Sequence, residues 1–386
     1  MIPTKRVEGL EALTQVPLPP AVEAVLADLE RAGYDAYVVG GAARNLLWGW
    51  PVEDWDVATN APWDLLAARY GTGHPGARFG TVQAAPGVEV TIMRAEEGTE
   101  DARHPARIRP VAAIEEDLSR RDFTVNAVAF NRHRVAAVPG AAEDLKARRW
   151  RAVGDPERRF REDGLRLMRL ARLAAVFGGW IAADTFEAAW RCRTWAQAPS
   201  RERRLWEWTR MLSAPAHRWR LVYTLGLAPA LELPEGAFWE AAGPVPASVP
   251  ARRLWWLWAA FGAEEPARAW IRRWPLTRAE RRALEGALAW IGRGGGPDEW
   301  AAAVRRGVPG WGILADWARA HGVEESLYPL ALAVSPGELG AVLGVQGAAL
   351  GRLTAQLWAA VSQDPALNRR DRLWALARRY LAGSDR

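Results

Sequence analysis

The sequence predicts an α/β head followed by an elongated all-helical part, and three observations carry that prediction. Short apolar strand-like runs alternate with amphipathic helical stretches only between about residues 21 and 138. From residue 144 onward apolar positions recur at helical spacing, with no convincing strand. Proline and glycine punctuate that second part at 228–250, 262–275, 292–298 and 307–311, which separates its helices.

In order along the chain, AVEAVLADLERAG (21–33) reads as an amphipathic helix and YDAYVV as a buried strand. Gly40-Gly41 makes a turn, AARNLLWG a short helix, and EDWDVAT a second strand. Pro62 opens a helix in PWDLLAARY, and GTVQAAP with GVEVTIM reads as a hairpin of strands. These pieces make a small mixed sheet flanked by helices. Beyond it, DGLRLMRLARLAAVFGGW, DTFEAAWRCRTWA and RERRLWEWTRML all carry helical spacing. No fixed-period repeat or low-complexity tract is visible.

At 386 residues the chain is too long for one ordinary domain, and roughly two to four are expected. Its 49% hydrophobic and 25% charged residues are those of a globular protein, and no apolar run reaches the ~20 residues of a membrane span. The stretch MIPTKRVEGLEAL lacks the apolar core of a signal peptide, so a cytoplasmic protein with no membrane partner is expected. Cys192 stands alone, which rules out an intrachain disulfide and a cysteine-based zinc site. The formal charge of +6 points to a polyanionic partner, of which nucleic acid is the usual one. Arginine supplies nearly all of the positive charge, since only Lys5 and Lys146 are lysines; this suits bidentate phosphate contact but also follows from a GC-rich genome. The 23 tryptophans, most of them after residue 178, fit core filling better than stacking on bases.

The motifs narrow the chemistry. Alternation along a strand points Asp54 and Asp56 to one side and Trp55 to the other, into a core. Flanking Trp55, Val57 and Ala58 mark the strand as buried, where carboxylates without cations would be costly. Paired carboxylates share hard divalent cations, which neutralise a triphosphate and lower the pKa of an attacking hydroxyl. Backbone N–H groups at Gly40-Gly41 and the next helix start can hold triphosphate oxygens, with Arg44 adding charge. A tight turn or a solvated acidic pair would explain either feature alone; their spacing favours a nucleotide. Glu89 alternates with apolar residues on the next strand and reads equally as a third carboxylate of the cluster or as an ordinary outward-facing side chain. In DLSRRDFTVNAVAF, Arg120 and Arg121 can grip phosphate and ribose, with Asp122 and Asn126 orienting them. In EDGLRLMRLAR, Asp163 and Arg166 share a helix face that Arg169 and Arg172 continue. A carboxylate acceptor beside guanidinium donors matches the Watson–Crick edges of cytosine and adenine and clashes with those of uracil and guanine. The plainer account is an intrahelical ion pair.

In this order the segments resemble the class II tRNA nucleotidyltransferase family, the bacterial CCA-adding enzymes and their poly(A) polymerase relatives. The agreement covers about residues 30–210 and includes GGAARNLLWGWPVEDWDVAT, ARFGTV, EVTIMR, DARHP, EEDLSRRDFTVNA, VGDPERRFREDGLRLMRLARLAA and SRERRLWEWTRML. The resemblance implies a polymerase β-like nucleotidyltransferase head over 1–140, a helical neck carrying the base-reading helix over 141–212, and a helical body and tail over 213–386 that grip the acceptor and T arms of tRNA. It implies Mg²⁺, and CTP and ATP added to a tRNA 3′ end without a template. On the matching positions, Asp54 and Asp56 are the metal-binding catalytic carboxylates with Glu89 as third partner. Gly40, Gly41, Arg44, Arg120, Arg121, Asp122 and Asn126 serve triphosphate and ribose. Asp163 and Arg166 read the base, supported by Glu162 and Arg169, while Glu202, Arg203 and Glu207 brace the base-reading helix. The chain departs from the family's usual residues at Ala43, Asn45 and Trp50, where Val, Asp and Arg are usual. Asn45 loses a charge that would orient Arg44.

Members that add only CC lack a flexible loop before the RRD motif. Here that loop, RAEEGTEDARHPARIRP, is full length and carries Asp101, Arg103 and Pro105. Full CCA addition is the leading expectation and addition of the terminal A alone is the alternative. A poly(A) polymerase ranks lower. An inactive RNA-binding relative is disfavoured because Asp54 and Asp56 are present, and an enzyme acting on a small molecule or protein because the neck motifs are.

Overall fold

A computed structural model of the protein describes residues 9–99, 105–234, 245–294, 299–300, 303–304, 309–322, 332, 334, 336–363, 367 and 369–383. The chain divides into two compact units, 1–231 and 232–386. The expected head and neck both fall within the first.

The first unit begins with helix α1 (Pro20–Arg31), whose proline start fixes the first turn and whose spacing buries Val22, Val25, Leu26 and Leu29. Strand β1 (Ala36–Val39) is buried along its whole length because it lies inside the sheet. Helix α2 (Gly41–Trp48), strand β2 (Trp55–Thr59), helix α3 (Trp63–Tyr70), and strands β3 (Thr81–Ala85) and β4 (Val88–Ile92) follow. Two further strands, β5 (Arg94–Thr99) and β6 (Pro105–Pro110), pair only with each other as an antiparallel ribbon. Helix α4 (Ile114–Ser119) then leads to β7 (Val128–Phe130) and β8 (Val135–Ala137).

Six of these strands form one sheet in the order β3-β4-β2-β1-β7-β8. Its β2–β4 pairing is parallel and its other pairings are antiparallel, which makes the mixed sheet the sequence predicts. Tyr37, Val39 and Ala58 of the sheet pack with Ile114 and Leu118 of α4 and with Met93, Ala127 and Ala129. Helix α1 contacts β1 and β2. The sheet's sequence order therefore brings the ends of β1, β2 and β4 together along one row.

Helices continue the unit: α5 (Ala141–Ala147), α6 (Pro156–Glu162), α7 (Leu165–Phe177), α8 (Ala183–Arg191), α9 (Arg201–Met211) and the short α10 (Leu221–Thr224). Two differences from the sequence reading appear here. Arg149–Trp150 and Trp180–Ile181 pair in parallel as β9 and β10, two-residue strands too short to leave an alternating pattern. The EDGLRLMRLAR segment is also two helices rather than one. Asp163 is extended, at φ −148° and ψ 106°, and its Oδ1 accepts the Leu165 N–H at 3.0 Å. It closes α6 and caps α7, the habit of a short acidic side chain next to the backbone.

The second unit is helical throughout its described residues. Ser248 caps α11 (Val249–Phe261), which is followed by α12 (Glu264–Arg273). Thr277 and Glu280 form a capping box at the start of α13 (Arg278–Ile291). Helices over Trp311–Ala320, Pro336–Leu343, Gly347–Gln363 and Arg370–Gly383 complete it. Trp255, Trp256, Trp270, Trp274 and Trp317 are buried, and Trp270 stacks on Trp274 with ring centres 4.6 Å apart. Core filling is thus their use. In the first unit, by contrast, Trp180, Trp190, Trp195 and Trp206 stand exposed. No described helix is long and apolar enough to cross a membrane.

Candidate active site

Three strands set the carboxylates in a row. Val39 at the end of β1 lies opposite Asp56 of β2, and Asp56 lies opposite Glu89 of β4. Gly40 follows Val39 with φ +73°, a conformation that favours glycine, and a Cβ there would lie 3.0 Å from Asp56 Oδ2 and 3.6 Å from Arg121 Nη1. Gly40, Asp56 and Arg121 thereby converge where β1 ends. Asp54 stands just before β2, exposed, while Trp55 between the two carboxylates is buried, so the in–out alternation is that of a strand.

The strand is buried as its apolar residues predict, but the carboxylates are not: both Asp54 and Asp56 keep contact with solvent. Protein nevertheless surrounds Asp56 on its other sides. That desolvation, joined by the negative charges of Glu89 and Asp54, pushes its carboxyl up to about 6 against the pull of Arg121 and Arg169. Among the described residues no three acidic, histidine or cysteine side chains close on one point. Glu89 sits at the register position beside Asp56, yet its Oε1 lies 3.4 Å from His74 Nε2. The residues still fit a hard divalent cation. They offer anionic oxygens on neighbouring strands, with Asp54 and Asp56 open to solvent.

The RRD segment is held by Asp117, an acidic residue one helical turn before it to which the motifs alone assign no role. Asp117, 1% exposed in α4, binds both arginines: its Oδ1 accepts from Arg120 Nη2 at 2.7 Å and its Oδ2 from Arg121 Nη2 at 2.8 Å. Burial pushes the Asp117 carboxyl up, but the two guanidiniums outweigh it and hold it below the usual range. Its spacing of three and four residues from the arginines was the available signal. Asp122 is buried and accepts from Asn126 Nδ2 at 3.1 Å and from Arg169 Nε at 2.8 Å. Although burial pushes Asp122 up, Arg169 and the Asn126 amide hold it well below the ordinary carboxylate range.

Arg44 differs from expectation. It is 5% exposed and turned inward, with its guanidinium 4.1 Å from the Phe177 ring centre. It donates to Asn126 Oδ1 and to Asn45 Oδ1, the latter from Nη2 at 2.8 Å. Burial pulls it down to about 9, against Asp122, which favours its charged form. Arg44 is therefore a buried tie between α2 and the end of α7 rather than a charge facing solvent at the turn. Asn45 keeps the orienting role of an acidic residue through its carbonyl oxygen, and its Nδ2 also donates to Pro51 O at 2.8 Å. Trp50, the other departure, packs edge-on against Phe177 with ring centres 5.3 Å apart.

Asp163 and Arg166 flank the break between α6 and α7, but each side chain is engaged by other partners. Arg166 is buried, donating from Nη1 to Glu162 Oε2 at 2.8 Å and from Nη2 to Arg120 O at 3.0 Å. Asp163 Oδ2 accepts from Arg203 Nη2 of α9 at 3.0 Å. Arg169 and Arg172 do not extend a solvated stripe. Arg169 pairs with Asp122, and Arg172 with Glu207 of α9, which is 1% exposed. Glu202 lies exposed in the first turn of α9. Its carboxyl is held below its usual range first by its own backbone N–H and then by Ser200. Asp101 and Arg103 lie outside the described residues, between the two strands of the ribbon.

Comparison with known proteins follows the same outline. The family described as the Poly A polymerase head domain matches residues 36–151. The CCA-adding enzyme of Geobacillus stearothermophilus is 37% identical over 299 residues, covering 73% of this chain and 73% of that protein. That of Geobacillus thermodenitrificans is 42% identical over 169 residues, 42% of each chain. The solved structure of the Bacillus stearothermophilus CCA-adding enzyme in complex with CTP is 26% identical, with a TM-score of 0.67 over 95% of this chain and 99% of that one. The matching fold along nearly the whole chain and the sustained identity to the first of these relatives place this protein in the class II tRNA nucleotidyltransferase family, that of the CCA-adding enzymes.

Proposed function

We propose that the protein adds CMP and AMP, from CTP and ATP, to the 3′ end of tRNA, completing CCA without a template. The observation that carries this reading is the meeting of Gly40, Asp56 and Arg121 beside Glu89, with the Glu162–Arg166 pair in the same unit. Asp54 and Asp56, with Glu89 beside them, would hold Mg²⁺. When bound, such a cation would neutralise the triphosphate and lower the pKa of the tRNA 3′-hydroxyl; that oxygen bonds the α-phosphorus as the bond from the α- to the β-phosphate breaks and pyrophosphate leaves.

The protein's own groups do the rest. The N–H groups at the Gly40-Gly41 turn and the start of α2 meet triphosphate oxygens. Arg120 and Arg121, already aimed by Asp117, present guanidinium edges to phosphate and ribose at little entropic cost. Asp122 and Asn126 hold that segment against α7. Asp163 and Arg166 read the base edge, where Glu162 and Arg203 fix their orientation. The relative solved with CTP supports CTP as a substrate. Nucleoside triphosphates and uncharged tRNA coexist in the cytoplasm, which is where this chemistry belongs. The presence of both ribbon strands, β5 and β6, favours an enzyme that carries on to the terminal A.

The deciding experiment uses three tRNA transcripts, ending at the discriminator base, at C and at CC, each incubated with Mg²⁺ and CTP, ATP or both. Extension of all three to CCA is expected. Extension of only the CC-ended transcript, by one A, would instead make this an A-adding enzyme. Asp56→Ala should abolish incorporation in every case while tRNA binding persists.

A further inference from the structure

We propose that His74 is a positioning residue for the carboxylate row, acting through Glu89. The proposal rests on the reading of Glu89 as a partner of Asp54 and Asp56. His74 lies in the loop between α3 and β3, and its ring is placed by the backbone rather than by other side chains. The Gly76 N–H donates to Nδ1 at 3.1 Å. With Nδ1 accepting, a neutral imidazole must carry its proton on Nε2. That nitrogen lies 3.4 Å from Glu89 Oε1.

The loop is built to keep this geometry. A Cβ on Gly76 would come within 2.9 Å of His74 Nδ1 and 3.0 Å of Thr81 Cβ, so a side chain there would push the ring off its amide. Gly76 O accepts from Phe79 N at 2.8 Å and from Thr81 N at 3.2 Å, which ties the loop to the first residue of β3. On the sheet, Glu89 lies between Asp56 of β2 and Gln83 of β3 in register. Asp56 repels the Glu89 carboxylate and Gln83 is uncharged, so the His74 ring, with Nε2 at 3.4 Å from Oε1, is the group that favours one rotamer of Glu89. Fixing a carboxylate that serves a cation is the work of an outer-shell partner, whose loss commonly costs affinity or rate.

The test is a double-mutant cycle on the full-length protein with two readouts: kcat and KM for CMP incorporation, and Mn²⁺ binding followed by electron paramagnetic resonance without nucleotide. His74→Ala is expected to lower kcat and weaken Mn²⁺ binding, each roughly tenfold, with little change in KM for CTP. His74→Gln, which returns an N–H near the place of Nε2, should recover most of both. In a Glu89→Gln background the His74→Ala loss should vanish. An equal His74→Ala loss with and without Glu89 would overturn the proposal, as would an unaltered His74→Ala enzyme beside an impaired Glu89→Gln enzyme. If Glu89→Gln itself leaves rate and Mn²⁺ binding intact, the role of Glu89 fails instead, and the proposal with it. A thermal melt of each variant separates these outcomes from simple unfolding.

Discussion

At the scale of single residues, the site is a set of arginines already spoken for by acids. Asp117 takes Arg120 and Arg121, Asp122 takes Arg169, Glu162 takes Arg166, and Glu207 takes Arg172. Such pairs stabilise little in net terms, but removing one partner leaves a charge stranded. Asp122→Asn should therefore lower stability by about 2 kcal/mol, the lower end for such a pair because Arg169 is not fully enclosed. The pH dependence has a definite sign. The folded-state pKa of Asp122 is depressed, so its contribution is complete above the ordinary value of 3.8 and is lost as pH falls through the folded value. Urea melts at pH 7 and in acid check this, since the gap between wild type and Asp122→Asn should narrow only in acid. Arg44 yields a second expectation. Arg44→Met keeps the stem against Phe177 but strands the Asn126 carbonyl oxygen. It should cost about 1–3 kcal/mol in a denaturant melt. Arg44→Lys should not restore the loss, because an ammonium cannot reproduce the planar fork shared by Asn45 and Asn126. The residue types of the site were legible in the sequence because spacing along one strand or helix decides which side chains share a face. The inward turn of Arg44 was not, because Phe177 and Asn126 are distant in sequence and only folding brings them to it.

At the scale of elements, the sheet was legible wherever an apolar run or alternation held for four residues or more, as in β1 and β2. The ribbon β5–β6 was not, since RAEEGT and PARIRP carry too few apolar residues to reveal a strand and are recognised only by pairing with each other. The break between α6 and α7 was missed for a different reason. Apolar spacing continues through it, and the signal lies in one backbone angle at Asp163, whose side chain caps the next helix. Asp163 thus has two tasks, since one carboxylate oxygen caps α7 and the other meets Arg203. Asp163→Asn keeps an oxygen for the cap and changes the partner offered to Arg203 and to a base. It is expected to alter the ratio of CMP to AMP incorporation while the melting temperature holds within about two degrees, the range of a surface change. Asp163→Ala should lower both. Equal nucleotide ratios in Asp163→Asn and wild type would leave the residue with capping alone. In the second unit, Thr277→Ala removes one arm of the capping box of α13 and should cost about 1 kcal/mol, read as a shift of the denaturant midpoint with CMP incorporation unchanged.

At the scale of the whole molecule, the balance of +6 has to be set beside where the arginines are committed. Apart from Arg44, whose partners are neutral, the site arginines face acids at ion-pair distance, so they add little net positive field around the nucleotide. The excess positive charge must therefore come from arginines elsewhere on the chain, which is the distribution expected of a protein that holds a long polyanion while handling a small one. Binding of tRNA and binding of CTP should then respond differently to salt. Each phosphate neutralised releases a condensed counterion, and for several contacts log K for tRNA should fall against log salt with a slope of about −3 or steeper. The KM for CTP should change far less, because its triphosphate meets a few preset donors rather than an extended field. Filter binding of labelled tRNA and steady-state CMP incorporation, both across a potassium chloride series, measure the two slopes. Asp56→Asn should leave the tRNA slope unchanged, since it alters the carboxylate row and not the extended field. A tRNA slope near zero would mean that apolar contact holds the RNA, and the exposed Trp180, Trp190, Trp195 and Trp206 would then be the side chains to replace first.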